Sequence, residues 1–157
     1  YGDWYEDEEF FTKHSLKTEW KLVGGNLLED STNKTYAEQT KVLRDYLKGI
    51  GSLTAAEEKD CSDENLAKIA DDVKKLVGLE INQKHRRTPG EVLYDWFLHF
   101  KKFKDRDYLE SNYDWGNLVS SGGDLVIVGL IDPDGVRVRR VLYPGAQYEN
   151  LGVVSVR

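Results

Sequence analysis

The sequence predicts an α+β fold, with helices in the first two thirds of the chain and short strands in the last third. Apolar residues recur at helical spacing up to about residue 100, and β-branched segments between glycine and proline turns replace them afterwards. All 14 lysines lie at or before Lys104, whereas the remaining 53 residues carry seven of the 14 glycines. We expect residues 19–157 to form one domain behind an irregular acidic and aromatic segment at residues 1–18.

Composition excludes several classes of protein. A formal net charge of −6 argues against nucleic-acid binding, which usually rests on a basic stripe. The one cysteine, Cys61, rules out an intramolecular disulfide, and a buried thiol is the simplest prediction for it. No apolar run approaches the roughly 18 residues that span a bilayer. We therefore expect no nucleic-acid partner and no membrane span, and localisation stays open.

Capping signals and periodicity predict three helices. They span residues 35–47, residues 62–78 and residue 89 onward. Ser62 offers an N-cap for the second helix, and glycines end the first two. Thr88 and Glu91 flank a proline at the first position of the third helix, which makes a capping box. The third helix is expected to be central to the core through an apolar face of Val92, Trp96, Phe97 and Phe100.

Alternating and β-branched segments predict four short strands. They cover residues 19–23, 124–128, 135–139 and 151–156. Asp132-Pro-Asp-Gly135 has proline and glycine at the positions that a type I turn prefers. The second and third strands therefore form an antiparallel hairpin.

Alternation within this hairpin predicts an unusual surface. If Val126 and Val128 face the core, Leu125 and Ile127 point outward, as do the arginines of the partner strand. Outward Leu and Ile would extend into an exposed apolar patch of the kind that marks interaction sites. The alternative is that the third helix covers this face and makes the strand buried on both sides. Spacing alone favours neither.

Few residues in the sequence indicate a catalytic, anion-binding or metal-binding site. The triplet of His85, Arg86 and Arg87 is typical of a solvated loop, with an anion site as the alternative. Asp132 and Asp134 fit the turn, although their carboxylates could also bind calcium. His99 on the third helix is interpreted as structural. No nucleophile elbow, phosphate loop, zinc motif or EF-hand is present, so we expect neither an enzyme nor a cofactor.

The last 45 residues resemble a known family. The tract includes Tyr113-Asp-Trp115, Val126-Ile-Val-Gly129, Gly135-Val-Arg-Val138 and Leu151-Gly-Val153, and it runs to Arg157. It resembles the variable regions of diversity-generating retroelement proteins, and is most similar to those of archaea, their viruses and candidate-phylum bacteria. Residues 33–46 and 89–94 resemble the preceding helices of that group. The resemblance implies a C-type lectin fold, in which helices pack on short antiparallel strands and residues 113–157 bind the ligand.

In that family a reverse transcriptase copies a template with errors at adenines, so asparagine-type codons diversify among constant neighbours. The resemblance implies a constant scaffold of Val126, Val128, Gly129, Asp132, Gly135, Val136, Val138, Leu151, Gly152 and Arg157. It implies a diversified surface of Gly116, Leu118, Val119, Asp124, Ile127, Leu130, Arg137, Arg139, Arg140, Leu142, Tyr143, Ala146, Tyr148 and Asn150. Gln147 and Glu149 cannot arise from such codons and are left out.

The function expected from the resemblance is recognition of a protein or surface ligand, on a virion or a cell surface. Two alternatives stay open. One is a metal-dependent binder or enzyme that uses Asp132, Asp134 and His99. The other is an assembly protein whose C-terminal apolar strands pair with another copy.

Overall fold

The computed structural model describes residues 4–13, 20–103, 109–132, 135–141 and 143–157. Within them the chain forms helices first and a four-stranded mixed sheet afterwards, so the predicted α+β class is confirmed. The helices are α1 (Glu9–Thr12), α2 (Tyr36–Gly49), α3 (Ala55–Asp60), α4 (Asp63–Ile69), α5 (Val73–Gly78), α6 (Glu80–His85) and α7 (Pro89–Phe103). The strands are β1 (Tyr113–Val119), β2 (Leu125–Asp132), β3 (Gly135–Val141) and β4 (Leu151–Gly152).

Helix α2 begins where the sequence predicts. The Thr35 hydroxyl accepts a hydrogen bond from the Glu38 backbone N–H at 3.2 Å, and the Glu38 carboxylate accepts one from the Thr35 N–H at 2.8 Å. This capping box satisfies two backbone donors that would otherwise lack partners. The helix then buries Leu43 and Leu47 on its core side.

The predicted helix at residues 62–78 is in fact two helices. Ser62 caps α4 as expected, but α4 ends at Ile69, and Asp72 caps a new helix by accepting a hydrogen bond from the Lys75 N–H at 3.0 Å. Aspartate competes well for free backbone donors, which favours a restart over a continuous helix at this position.

Helix α7 has the predicted capping box, but its expected place at the centre of the core is wrong. Thr88 and Glu91 exchange backbone-to-side-chain hydrogen bonds of 2.7 and 3.2 Å at its start. Val92 is buried and Trp96 is half-buried, whereas the Phe97 side chain is 51% exposed. The helix lies on the outside of the sheet, so only one of its faces can meet the core.

The sheet has the order β3-β2-β1-β4, and its last pair departs from the expected antiparallel arrangement. The β2–β3 hairpin is antiparallel as predicted, and β1 pairs antiparallel with β2. β4 runs parallel to β1. β3 already runs in the same direction as β1, so the connection after β3 returns the chain to the end of the sheet where β3 began, at the opposite edge, as parallel strands require.

Both faces of β2 are buried, so the prediction that Leu125 and Ile127 point to solvent is wrong. These two side chains belong to the larger core cluster, together with residues of α2, α5 and α6. On the opposite face Val128 packs with Val92 of α7 and with Val154. β2 is therefore the two-sided buried strand of the alternative, except that α7 covers the face of Val128 rather than that of Leu125 and Ile127.

The predicted strand at residues 19–23 is reduced to one bridge. Val23 pairs antiparallel with Val156, and Leu22 and Arg157 exchange backbone hydrogen bonds of 2.8 and 3.2 Å. Trp20 is fully exposed, and residue 19 lies outside the described residues. The pairing still joins the early chain to its C-terminal segment.

Candidate recognition surface

The register of the hairpin divides the three arginines of β3 between two faces of the sheet. Arg139 lies opposite Ile127, and Arg137 lies opposite Gly129 on the same face. Arg140 lies opposite Val126 and so projects from the other face. All three side chains are exposed, as the sequence predicts for Arg137 and Arg139. β3 is an edge strand, and three charges along such an edge disfavour pairing with further strands.

Two of these arginines lie over aromatic rings. The Arg139 guanidinium carbon is 5.6 Å from the centroid of the Tyr113 ring, and that of Arg140 is 4.7 Å from the Trp4 ring. Both distances are within the range of cation–π attraction. These contacts hold the arginines in preferred orientations while leaving them open to solvent.

The N-terminal segment docks on this end of the sheet instead of being wholly irregular. It forms α1, and the Glu8 carboxylate is buried against the turn that joins β1 to β2. Glu8 accepts hydrogen bonds from the Ser121 backbone N–H at 2.7 Å and from the Ser121 hydroxyl at 3.0 Å. Glu8 and Trp4 therefore attach this segment to the sheet at two points.

The loop of residues 143–150 displays two tyrosines on a firmly held backbone. Tyr143 is 58% exposed and Tyr148 is 51% exposed. The Tyr36 N–H donates to the Pro144 carbonyl at 3.0 Å, and the Asn33 N–H donates to the Tyr148 carbonyl at 2.9 Å. Hydrogen bonds from the start of α2 and from the residues just before it therefore hold the backbone of this loop in place.

A side-chain contact and a strand contact add to this support. The Gln147 amide donates to the Glu38 carboxylate at 3.1 Å, which ties the loop to the first turn of α2. The Tyr113 N–H donates to the Asn150 carbonyl at 2.7 Å, where the loop leads into β4. Gln147 is one of the two loop residues that the codon argument leaves outside the diversified set.

Two residues of the predicted diversified surface are buried. Ile127 is 5% exposed. Gly116 is also buried, and a Cβ atom there would lie 2.9 Å from the Arg87 carbonyl oxygen. The Gly116 carbonyl in turn accepts the Tyr36 hydroxyl at 3.1 Å. Neither position can present a side chain to a ligand, because backbone and core atoms already occupy the space.

The remaining residues of the predicted diversified surface are half-buried or exposed, apart from one that the structure does not describe. Leu118, Val119, Asp124, Leu130, Ala146 and Asn150 are half-buried. Val119, Leu130 and Ala146 pack against the larger core cluster. Leu142 lies outside the described residues. The exposed members of the set are therefore Arg137, Arg139, Arg140, Tyr143 and Tyr148.

Two buried arginines support this surface, and the prediction of a solvated loop at His85, Arg86 and Arg87 is wrong. Both Arg86 and Arg87 are 1% exposed. Arg87 donates to the Asp114 carboxylate at 2.6 and 2.9 Å and to Asp95 at 3.1 Å. Its charge is thus neutralised internally and unavailable to an external anion.

Arg86 is satisfied by neutral acceptors. Its guanidinium donates to the Asn82 side chain at 2.9 Å and to the Trp115 carbonyl at 3.1 Å, and it stacks 4.0 Å from the centroid of the Tyr36 ring. Burial lowers the pKa of Arg86 below its ordinary value, and burial raises the pKa of Tyr36 to about 12. The sequence missed this network because adjacent arginines are usually exposed. The one available signal was their position directly before a helix cap.

Metal and thiol chemistry have little support in the part of the chain that the structure describes. No group of three His, Cys, Asp or Glu side chains there could hold a metal ion. Asp134 and the side chain of Asp132 fall outside that part, so the predicted calcium alternative is untested. His99 packs 4.8 Å from the Phe103 ring. Cys61 is buried, and burial raises its pKa to about 11, so little reactive thiolate forms at neutral pH.

Among the helices that the structure describes, none has the length and apolar character to cross a bilayer. Comparison with protein-family models, curated proteins and solved structures finds no match to this chain.

Proposed function

We propose that this chain is a recognition protein of C-type lectin type, whose surface side chains are exchanged by a diversity-generating retroelement. The proposal begins from the sequence resemblance of residues 113–157. One structural observation adds weight to it: the exposed arginines and tyrosines of the predicted set stand on backbone that buried residues hold in place. Arg and Tyr are common anchors at binding surfaces, and a rigid backbone limits the entropy lost on binding.

The support beneath the surface comes from buried positions outside the predicted diversified set. Gly129, predicted as scaffold, packs so closely on β1 that a Cβ atom would lie 2.0 Å from the Asn112 carbonyl oxygen. Asp114 accepts hydrogen bonds from Arg87 and from the Val154 N–H at 3.0 Å, and so joins β1 to the C-terminal segment. Changes at exposed positions leave these contacts intact, which is what a surface open to diversification requires.

We place ligand contact on two regions that follow each other in the sequence. The first is β3, which presents Arg137 and Arg139 from one face and Arg140 from the other. The second is the loop with Tyr143 and Tyr148. Gly116 and Ile127 are excluded from the contact set because they are buried. The partner is a protein or another surface ligand, chosen by the side chains present at these five positions.

Two libraries test this proposal. In the first, Arg137, Arg139, Tyr143 and Tyr148 are randomised in a cell-surface display format. In the matched control library, the buried positions Val126, Val128, Gly129 and Leu151 are randomised instead. Each library is sorted for protease resistance and then for binding to lysozyme as a probe protein.

We expect most members of the surface library to stay protease-resistant and some to bind the probe, while most control members unfold. Binders should lose affinity when the selected residues are returned to the original ones. The proposal fails if the surface library unfolds as readily as the control, or if no binder depends on the randomised positions.

A further inference from the structure

Helix α7 is apolar on two opposite faces. Its inner face packs Val92 and Trp96 into the smaller core cluster. Its outer face carries three exposed apolar residues: Tyr94 is 49% exposed, Phe97 is 51% exposed and Leu98 is 44% exposed. A helix that is apolar all round is ordinarily buried on both sides. The outer face of α7 therefore has the composition of an interface.

The exposed residues form one stripe along the helix. Tyr94, Phe97, Leu98 and Lys101 are spaced by three and four residues, so their side chains are neighbours on one face. We call these four residues the outer stripe. Lys101 is exposed, and within the described residues it makes no ion pair. Its ammonium group is available to a partner.

The outer stripe is complementary to a reversed copy of itself. Turning the helix end for end about the midpoint between Phe97 and Leu98 exchanges those two residues, and it exchanges Tyr94 with Lys101. We propose that α7 packs antiparallel against α7 of a second copy of this chain, around a two-fold axis at that midpoint. Phe97 then packs on Leu98 of the other copy, and Lys101 lies over the other copy's Tyr94 ring.

Charge favours this face over the sheet edge as the place of self-association. Pairing two β3 edges would bring Arg137, Arg139 and Arg140 against the same residues of the second copy, and like charges that face each other across strands are destabilising. The outer stripe presents one cation to an aromatic ring instead. Pairing of two copies through the β3 edge is therefore disfavoured.

The interface is small, and this sets the strength to be expected. One helix stripe offers less than the about 800 Å² per partner that stable complexes bury, so association should be weak and dependent on concentration. Each copy carries a net charge of −6, so added salt should strengthen the dimer by screening the repulsion between copies. The dimer would present two recognition surfaces at once, although it does not depend on the proposed function.

Sedimentation velocity on the full chain measures this directly, between about 10 and 500 µM protein, where a weak small interface associates. We expect the weight-average mass to rise from 18.0 kDa toward twice that value. Phe97→Asp should hold the mass at the monomer value. Phe103→Asp is the matched control, because Phe103 is on the same helix, is similarly exposed at 54%, and lies off the stripe.

Cross-linking tests the orientation. A mixture of Tyr94→Cys and Lys101→Cys chains, oxidised by dissolved oxygen, should form the mixed disulfide in preference to either homodimer, and the buried Cys61 does not compete. A monomer mass at every concentration overturns the proposal. So does an equal loss of association in Phe97→Asp and Phe103→Asp, association that survives Phe97→Asp, or cross-linking mainly between identical cysteine variants.

Discussion

Arg87 and Asp114 form a buried ion pair, with 2.6 Å between the Arg87 Nη2 and Asp114 Oδ2 atoms. Both side chains are almost fully shielded from water. Asp114 also accepts the Val154 N–H, and Arg87 also contacts Asp95. The pair therefore connects β1, the start of α7 and the C-terminal segment beneath the candidate recognition surface.

Asp114→Ala is expected to lower the free energy of unfolding by about 3–5 kcal/mol, because it leaves a guanidinium buried without its main partner. Urea denaturation measures the loss. Lys48→Ala is the control, because Lys48 pairs with Glu58 at the surface, where solvent screens the attraction and its loss should change stability little. Equal small effects of the two substitutions would contradict the structural role of the buried pair.

Gly116→Ala is expected to destabilise the protein by about 1–3 kcal/mol, because the new Cβ would press on the Arg87 carbonyl oxygen within a packed core. Gly25→Ala serves as a control, since a Cβ at Gly25 meets no atom within 4 Å. Thermal unfolding of both variants gives the melting temperatures that are compared. An unchanged melting temperature for Gly116→Ala would restore that position to the diversified set.

Leu130 has a φ of 47°, in the left-handed region that disfavours branched side chains. Asparagine tolerates this region better than valine does, so Leu130→Asn should be more stable than Leu130→Val by about 1 kcal/mol. Valine keeps more of the apolar contact that Leu130 makes with the larger core cluster, so a more stable asparagine variant would show that the backbone conformation dominates. Chemical denaturation measures the stability of both variants. A valine variant that is the more stable of the two would contradict this account.

Glu57 should contribute to acid unfolding. Burial acts to raise its pKa, but hydrogen bonds from Thr54 and the charges of His85 and Lys84 outweigh burial and lower it. A lowered folded-state pKa adds stability above the unfolded value of about 4.3, and that stability is lost as pH falls through the folded pKa. Glu57→Gln should therefore lose less stability than the parent chain between pH 6 and pH 3. Identical pH profiles in urea denaturation would refute this.

The sequence predicts local features well where a few adjacent residues determine them. The capping boxes at Thr35 and Thr88 and the hairpin on either side of Asp132 are such cases. α3 could have been found in the same way, because Thr54 and Glu57 form a third capping box with the same spacing.

Predictions that depend on distant contacts fare worse. Alternation in β2 shows that neighbours point to opposite faces, but it cannot show that helices cover both of them. The burial of Arg86 depends on acceptors from Gln39 to Trp115 that come together only in the fold. The exposed side of α7 is a further case, because apolar content alone does not distinguish a buried helix face from an exposed one.

The central claim is that residues 113–157 are rewritten from a template, and the DNA around the gene tests it most directly. Sequencing should find a near-copy of these codons beside a reverse transcriptase gene. The two copies should differ at positions where the near-copy has adenine. The codons that differ should include those of the exposed residues Arg137, Arg139, Tyr143 and Tyr148. Flanking DNA with no such copy, or a copy that differs equally at all four bases, would contradict the account.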